Sequence, residues 1–412
     1  MSSSMRTIRS MLPLFLGMSL LFIGNGLVIA SCGVELKKMG VDEMQIGLVN
    51  TCFFVGALIS TISSHRIISK TGHIRAFAIF TAVFGVSAMF HSLSQNLYFW
   101  AFLRACLGYC YYGLLMVIES WLNAKTANFI RSRVLAFYEG VFYTSFGAGI
   151  LILALDLSSF EIFIISAAFI MISSIPLNLI RIKQPQIPQK QSINIPKILG
   201  IVPLALVGAL VAGIAVNGFF SMASLFVLLQ GYGTKEVSFF MTIAMAGGFS
   251  VQLVIGGFSD KFGRRPAIIA SSCVALVSAL LFLLNEHNLT VQYILAFFFG
   301  SGIFCIYGLS IARANDEITD KTQSVQVARA LLFSYSLASL ASPMLMGASM
   351  RYFGAFGFIY VYLIVFSFLI IFALTQKTVP SYLRKNYNEQ HVARTSAISS
   401  LNVKQNLADV EK

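Results

Sequence analysis

Apolar runs of about twenty residues recur along this chain too often for a water-soluble fold. The hydrocarbon core of a bilayer is roughly 30 Å thick, so a spanning helix needs about 20 apolar residues at about 1.5 Å each. Twelve runs meet that length, at about 11–32, 46–63, 76–95, 98–120, 132–154, 160–180, 198–222, 235–258, 266–285, 291–312, 324–347 and 355–376. Composition agrees. Of 412 residues, 57% are hydrophobic and only 11% charged, whereas soluble domains average roughly 45–50% and 25%; the mean hydropathy is +0.80. The expected fold class is an all-α membrane protein with 12 transmembrane helices. Arg6 and Arg9 precede an apolar stretch ending Ile29, Ala30, Ser31, Cys32, which mimics a cleaved leader. At about 20 residues it exceeds a signal core of about 7–15, and it is read as the first span.

The formal charge of +13 raises nucleic acid as a partner, but the cations fall in the short gaps between apolar runs, where they set orientation. With the N-terminus inside, 24 of the 29 Lys and Arg lie in inner segments and four, Lys37, Lys38, Lys235 and Arg351, in outer loops. Both termini are therefore expected to be cytoplasmic. The remaining cation, Arg104, falls within a span. Cys32, Cys52, Cys106, Cys110, Cys273 and Cys305 lie in or beside apolar runs without a C-x-x-C pair, so neither a disulfide framework nor a zinc site is expected.

The longest internal break, residues 181–197, holds four cations and three prolines and reads as a linker. It divides a six-helix bundle, 11–180, from a second, 198–376, with a cytoplasmic N-terminus at 1–10 and a disordered cytoplasmic tail at 377–412. Features recur between the halves at a fixed offset of 191 to 192 residues. Asn25 and Gly26 match Asn217 and Gly218, Gly72 matches Gly263, Gly108 matches Gly300, Asn123 matches Asn315, and Tyr143 matches Tyr335. Five matches in order indicate a parallel repeat of two bundles, and carriers built so bind substrate near the midplane.

Between runs eight and nine the chain reads GGFSDKFGRR, residues 256–265. It places one acid, three glycines and three cations in a short turn. The stretch fits the pattern G-x-x-x-D-K-x-G-R-R, and span four carries R-x-x-x-G as Arg104 and Gly108. By these residues the chain resembles the major facilitator superfamily. The matching loop of the first half, His65 to Arg75, keeps Lys70, Gly72 and Arg75, but Ser69 replaces the expected Asp and His65 the expected Gly. Glu119 to Asn123 (ESWLN), Arg131 to Ala136 (RSRVLA) and Tyr307 to Asp316 (YGLSIARAND) resemble the YcaD-like branch. The resemblance implies two six-helix bundles of the major facilitator fold and transport by alternating access.

A charge inside a membrane usually faces a cavity or a partner, which makes Arg104 the strongest single-residue signal. Asn25, on a span running the opposite way, reaches a similar depth. Both are expected on one cavity with Asn217, and Tyr112 and Tyr307 complete the substrate-binding set. A purely structural Arg104, holding helix carbonyls, is the alternative. Arg104, Glu119 and Glu139 are the proton-coupling candidates, because a buried carboxylate can hold a proton near neutral pH. The expected gating residues at the inner gate are Lys70, Gly72, Arg75 and Glu119 in the first half and Gly256, Asp260, Gly263, Arg264, Arg265 and Asp316 in the second. There Glu119 is expected near Lys70 and Arg75, and Asp316, read as its repeat counterpart, near Arg264 and Arg265. Asp260 is expected to face a helix N-terminus. His65, His73, His91, His287 and His391 read as loop or tail residues.

No G-x-x-x-x-G-K-[ST] phosphate loop is present, so an ion gradient is the expected drive. The expected activity is secondary active transport of a small solute, proton-coupled, with export of a drug or metabolite ahead of uptake. Proton-coupled uptake of a small, anionic metabolite and a non-transporting membrane sensor are the alternatives. The expected partners are the solute, protons and the lipid bilayer, with no nucleic acid, cofactor, metal or catalytic residue, in a monomer that is not an enzyme.

Overall fold

The computed structural model describes residues 9, 11–126, 131–179, 202–286, 288–318, 324–380 and 384, the side chains of 123–125, 131–132 and 324–326 excepted. The expected linker at 181–197 and most of the N-terminus and tail lie outside the described residues. The described residues are helical almost throughout, because a backbone in lipid must satisfy its own polar groups. The helices are α1 (Leu12–Lys38), α2 (Glu43–Thr71), α3 (His73–Phe90), α4 (Leu97–Lys125), α5 (Arg131–Ile152), α6 (Ser159–Ile172), α7 (Ile175–Asn178), α8 (Pro203–Leu229), α9 (Thr234–Phe262), α10 (Arg264–Leu284), α11 (Leu289–Ile303), α12 (Ile306–Glu317), α13 (Ser324–Phe353) and α14 (Gly357–Thr375).

Among the described residues, eleven segments are long and apolar enough to cross a membrane. One is α6 with α7, and another is α11 with α12, the latter pair parted at Phe304 and Cys305. The last, Val327–Thr375, runs 49 residues and contains the greater part of α13 and all of α14, separated by a 3-10 turn at Gly354–Phe356.

Helix ends differ from the apolar runs. α2 continues to Thr71 and α9 to Phe262, so each loop expected from the sequence shrinks to a single residue between helices, Gly72 or Gly263. Polar residues ended the apolar runs without ending the helices. Several helix starts are closed by side chains. Asp42 Oδ1 accepts from the Met44 and Gln45 amides, Asn96 Oδ1 from Tyr98 and Phe99, and Asn288 Oδ1 from Val291, while Ser158 and Glu161 form a capping box.

The described residues fall into two compact units, one of residues up to Met39 and from Leu48 to 179, the other of Gly40–Gly47 and 202–384. In the first unit, α1 packs on α5 and α6, and α3 on α4 and α6. α2 and α4 touch backbone to backbone: a Cβ added at Gly56 would strike the Ala105 carbonyl, and one at Gly108 the Phe53 carbonyl. In the second unit, α8 packs on α13 and α12, and α10 on α11 and α14. α9 and α11 meet there in the same reciprocal way, through Gly247 against the Phe297 carbonyl and Gly300 against the Ala244 carbonyl. The internal repeat is therefore also a repeat of packing. A second-unit core of Phe219, Phe226, Phe240, Phe282, Phe299 and Tyr362 holds its rings in stacked, tilted and edge arrangements at 4.7–6.5 Å.

Candidate functional site

The turn between α9 and α10 is built on one arginine. Gly263 has φ 102° and ψ 160°, a conformation that an L side chain rarely adopts, and it delivers Arg264 as the first residue of α10. A cation at a helix N-terminus opposes the helix dipole. Here carboxylates on two helices offset it. Arg264 is buried; its Nε donates to Asp316 Oδ2 at 3.0 Å, and its Nη1 to Asp260 Oδ1 at 2.5 Å and to Ser259 Oγ at 2.6 Å. The Asp316 side chain is fully buried and that of Asp260 is 29% exposed. Gly256 is buried one turn earlier, and its carbonyl accepts from Ser259 Oγ at 2.9 Å. Arg265 departs from the expected set. It turns to the end of α14, donating to the carbonyls of Ala373 and Leu374, both at 2.8 Å, while Asp316 is held by Arg264.

The turn between α2 and α3 repeats the backbone with different chemistry. Gly72 has φ 80° and ψ 164° and leads into His73, the first residue of α3. His73 is buried, and its Nε2 lies 2.8 Å from Ser120 Oγ on α4. Ser69 bonds back to its own helix, Oγ to the Arg66 carbonyl at 3.0 Å. Lys70 and Arg75 are exposed, and neither forms an ion pair among the described residues. Glu119 is buried beside Ser120. The expected ion pairing of Glu119 with Lys70 and Arg75 is not formed among the described residues, since Glu119 is buried while both cations are exposed.

The repeat register also changes one expected pairing. At the offset of 192 that relates Gly108 to Gly300, Asp316 corresponds to Ala124 and Glu119 to Ile311. Glu119 and Asp316 are not counterparts.

Deeper in the first unit, Arg104 on α4 is 2% exposed. Its Nη1 donates to Cys32 Sγ on α1 at 3.2 Å, and the guanidinium carbon lies 5.1 Å from the centre of the Phe53 ring on α2. Asn25 sits seven residues before Cys32, about 10 Å along α1. The two were expected at one depth. Long helical side chains lean toward the N-terminus of their own helix, and this lean carries the guanidinium from Asn25 toward Cys32. Asn25 is fully buried, and its amide makes no hydrogen bond among the described residues. Asn217 differs, donating to Ser339 Oγ at 2.6 Å and to the Gly213 carbonyl at 3.1 Å. The position matching Ser339 is Gly147, which has no hydroxyl to offer. Tyr112 stands 6.5 Å from Phe53, Tyr307 pairs with Tyr335 at 4.7 Å, and Glu139 is buried on α5.

A family profile described as Major Facilitator Superfamily matches residues 14–343 of this chain. The chain belongs to the major facilitator superfamily. Relatives include the "Uncharacterized MFS-type transporter YcaD" of Escherichia fergusonii, 24% identical over 302 residues, covering 73% of this chain and 78% of the relative. The protein of the same name in Salmonella arizonae matches to the same extent. Among solved structures, the nucleoside transporter NupG superimposes with a TM-score of 0.73 at 14% identity, over 88% of this chain and 97% of that one. A bacterial homologue of the human lysosomal transporter Spinster, inward-facing and occupied, gives 0.70 at 14% identity over 93% and 99%. These structures share the fold. The chain is a multi-pass membrane transporter resembling the YcaD branch.

For this facilitator, three features escaped sequence reasoning. His73 and His91, expected in loops, are buried. His91 Nδ1 lies 2.7 Å from the Ser87 carbonyl, with its ring against Trp100 and Phe163, while His65 lies within α2. His287 and His391 lie outside the described residues. Cys32, read from the sequence only as neither a disulfide nor a zinc ligand, accepts from Arg104. Arg313 was counted only for topology, yet it is buried, donating to Glu317 at 2.5 Å and to the Lys377 carbonyl at 2.7 Å. The i to i+4 spacing of Arg313 and Glu317 was a signal available in the sequence.

Proposed function

We propose that this protein is a secondary active transporter moving a small solute by alternating access, with protons as the coupling ion and export of a drug or metabolite as the direction. It acts as a monomer of twelve spans in two six-helix bundles, with both termini on the cytoplasmic face of a bacterial inner membrane. The 49-residue final segment supports twelve spans, since one crossing takes about 20 residues. Gly354, with φ 62°, supports a reversal within it. Orientation rests on the 24 to 4 division of cations.

The observation that carries proton coupling is the burial of Glu119 and Glu139 in membrane-length helices of the unit that also holds Arg104. Intramembrane carboxylates are expensive and mark proton paths. Alternating access further requires contacts that differ between two states, and Asp260, Arg264, Arg265 and Asp316, with Gly256 and Gly263, supply breakable ones at one turn. In the first unit Lys70, Gly72 and Arg75 supply the corresponding turn. Asn25, Asn217, Tyr112, Tyr307 and Arg104 form the proposed solute set.

The test uses purified protein in proteoliposomes with a pH dye inside, and solutes first ranked by thermal shift. Adding a ranked solute is expected to move protons in the wild type and to move markedly fewer in Glu139→Gln and Glu119→Gln. Solute flux without a pH signal refutes coupling. Binding without flux identifies a sensor.

A further inference from the structure

Resting on the transporter reading above, we infer that Arg104, Cys32 and Phe53 form the head-group end of a site for a small organic monocarboxylate with an aromatic or apolar body. A guanidinium does not lose its proton in proteins, so Arg104 carries a full charge wherever it is placed. At 2% exposure it therefore needs a counter-charge. Its described partners are a thiol at 3.2 Å, a weak acceptor, and the face of one phenyl ring.

The acid nearest along α1 is engaged elsewhere. Glu35, three residues beyond Cys32, takes Lys38 Nζ on Oε1 at 2.8 Å and Ser159 Oγ on Oε2. No carboxylate pairs with Arg104 among the described residues. Two other buried arginines are treated differently: Arg264 holds Asp316 and Asp260, and Arg313 holds Glu317. Arg104 stands apart from both.

Geometry narrows the ligand. Nη1 is taken by Cys32, Nε is buried without a hydrogen-bond partner, and the Nε and Nη2 edge makes no bond among the described residues. That edge is a fork of two parallel N–H groups, which fits the two oxygens of a carboxylate. One cation balances one negative charge, which favours a monoanion over a phosphate dianion. Beyond Phe53 the wall is aromatic: its ring lies 6.2 Å from Tyr111 and 6.5 Å from Tyr112, and Tyr111 lies 6.2 Å from Phe84. Such a wall suits an apolar or aromatic body, while a sugar or a peptide needs many more polar contacts.

The experiment compares acids with their neutral amides on the full-length protein in nanodiscs. The probes are benzoate against benzamide, and indole-3-acetate against indole-3-acetamide. The acids are expected to raise the melting temperature in a saturable way and the amides to leave it unchanged. Arg104→Gln should weaken acid binding by at least about tenfold, because charge-assisted bonds are lost. Arg104→Lys, which keeps the charge without the fork, should fall between. If Arg104→Gln does not fold, Phe53→Leu tests the same wall and should weaken both acids several-fold. Equal shifts for acid and amide, unchanged acid binding in Arg104→Gln or Phe53→Leu, or no shift with either acid overturns the inference. The transporter reading fails separately. Acids that bind through Arg104 without crossing proteoliposomes remove transport and keep the site, whereas proton-coupled flux of neutral solutes alone removes the site and keeps transport.

Discussion

The turns at Gly72 and Gly263 have nearly the same backbone, φ 80° and 102° with ψ near 160°, and opposite electrostatics. After Gly263 comes a buried arginine held by Asp316, Asp260 and Ser259; after Gly72 comes a buried histidine held by Ser120. The backbone geometry is kept in both units, while among the described residues the charged hub is seen at the second turn. The two properties are thus separable. Glycine sets how α3 and α10 begin, while the residue after it sets whether the turn is a charged lock or a neutral hydrogen bond. A lock made of three charges responds to any motion that separates them, whereas the neutral bond has less to lose.

The largest expected effect breaks that comparison at its hub. Arg264→Ala removes the described counter-charge of the buried Asp316, and should destabilise the protein by about 3–5 kcal/mol. His73→Ala should cost about 1–3 kcal/mol, since it leaves a neutral hydroxyl behind. Thermal unfolding in detergent measures both. Equal losses would mean that the first unit hides an ionic hub of its own.

Next come the glycines themselves. Gly263→Ala and Gly72→Ala each force a Cβ into a conformation that costs of order 1–3 kcal/mol. The two variants should lose stability equally. A markedly milder Gly72→Ala would show that the first turn relaxes where the charged one does not, and the shared backbone would then be coincidental.

A smaller effect compares the asparagines. Ser339→Gly gives Asn217 the surroundings of Asn25, removing the hydroxyl at 2.6 Å, and should lower stability by about 1 kcal/mol. No change would mean that the Gly213 carbonyl alone satisfies Asn217.

How much of this was legible depends on range. Apolar runs, the turn glycines and the two-fold repeat are local or periodic, and each could be read from residue order. Helix ends could not, because Lys70 and Asp260 leave the apolar run while remaining helical. Partners far apart in sequence were also hidden. His73 meets Ser120 from 47 residues away, and Arg104 meets Cys32 from 72. Depth counted from Cα positions put Arg104 beside Asn25, since counting takes no account of how far and in which direction an arginine leans. Glu35 illustrates the converse case. Its sequence position would nominate it as Arg104's counter-ion, yet Lys38 and Ser159 hold it.

The smallest effect concerns rate rather than stability. Asp260 is the outermost member of the charged hub, 29% exposed and bonded to Arg264 at 2.5 Å, whereas its counterpart Ser69 bonds only to the Arg66 carbonyl among the described residues. Partly exposed pairs contribute about 0–1 kcal/mol, so Asp260→Asn should leave the fold intact and bias the gate by up to about fivefold in transport rate. Ser69→Ala should leave the rate unchanged, because the histidine hub does not involve it. Initial rates in proteoliposomes decide the matter. If Asp260→Asn slows transport and Ser69→Ala does not, gating in this protein is asymmetric, with the lock carried by the second unit. Equal and small effects would reduce both turns to carriers of topology, and the burial of Arg264 would then be a matter of folding alone.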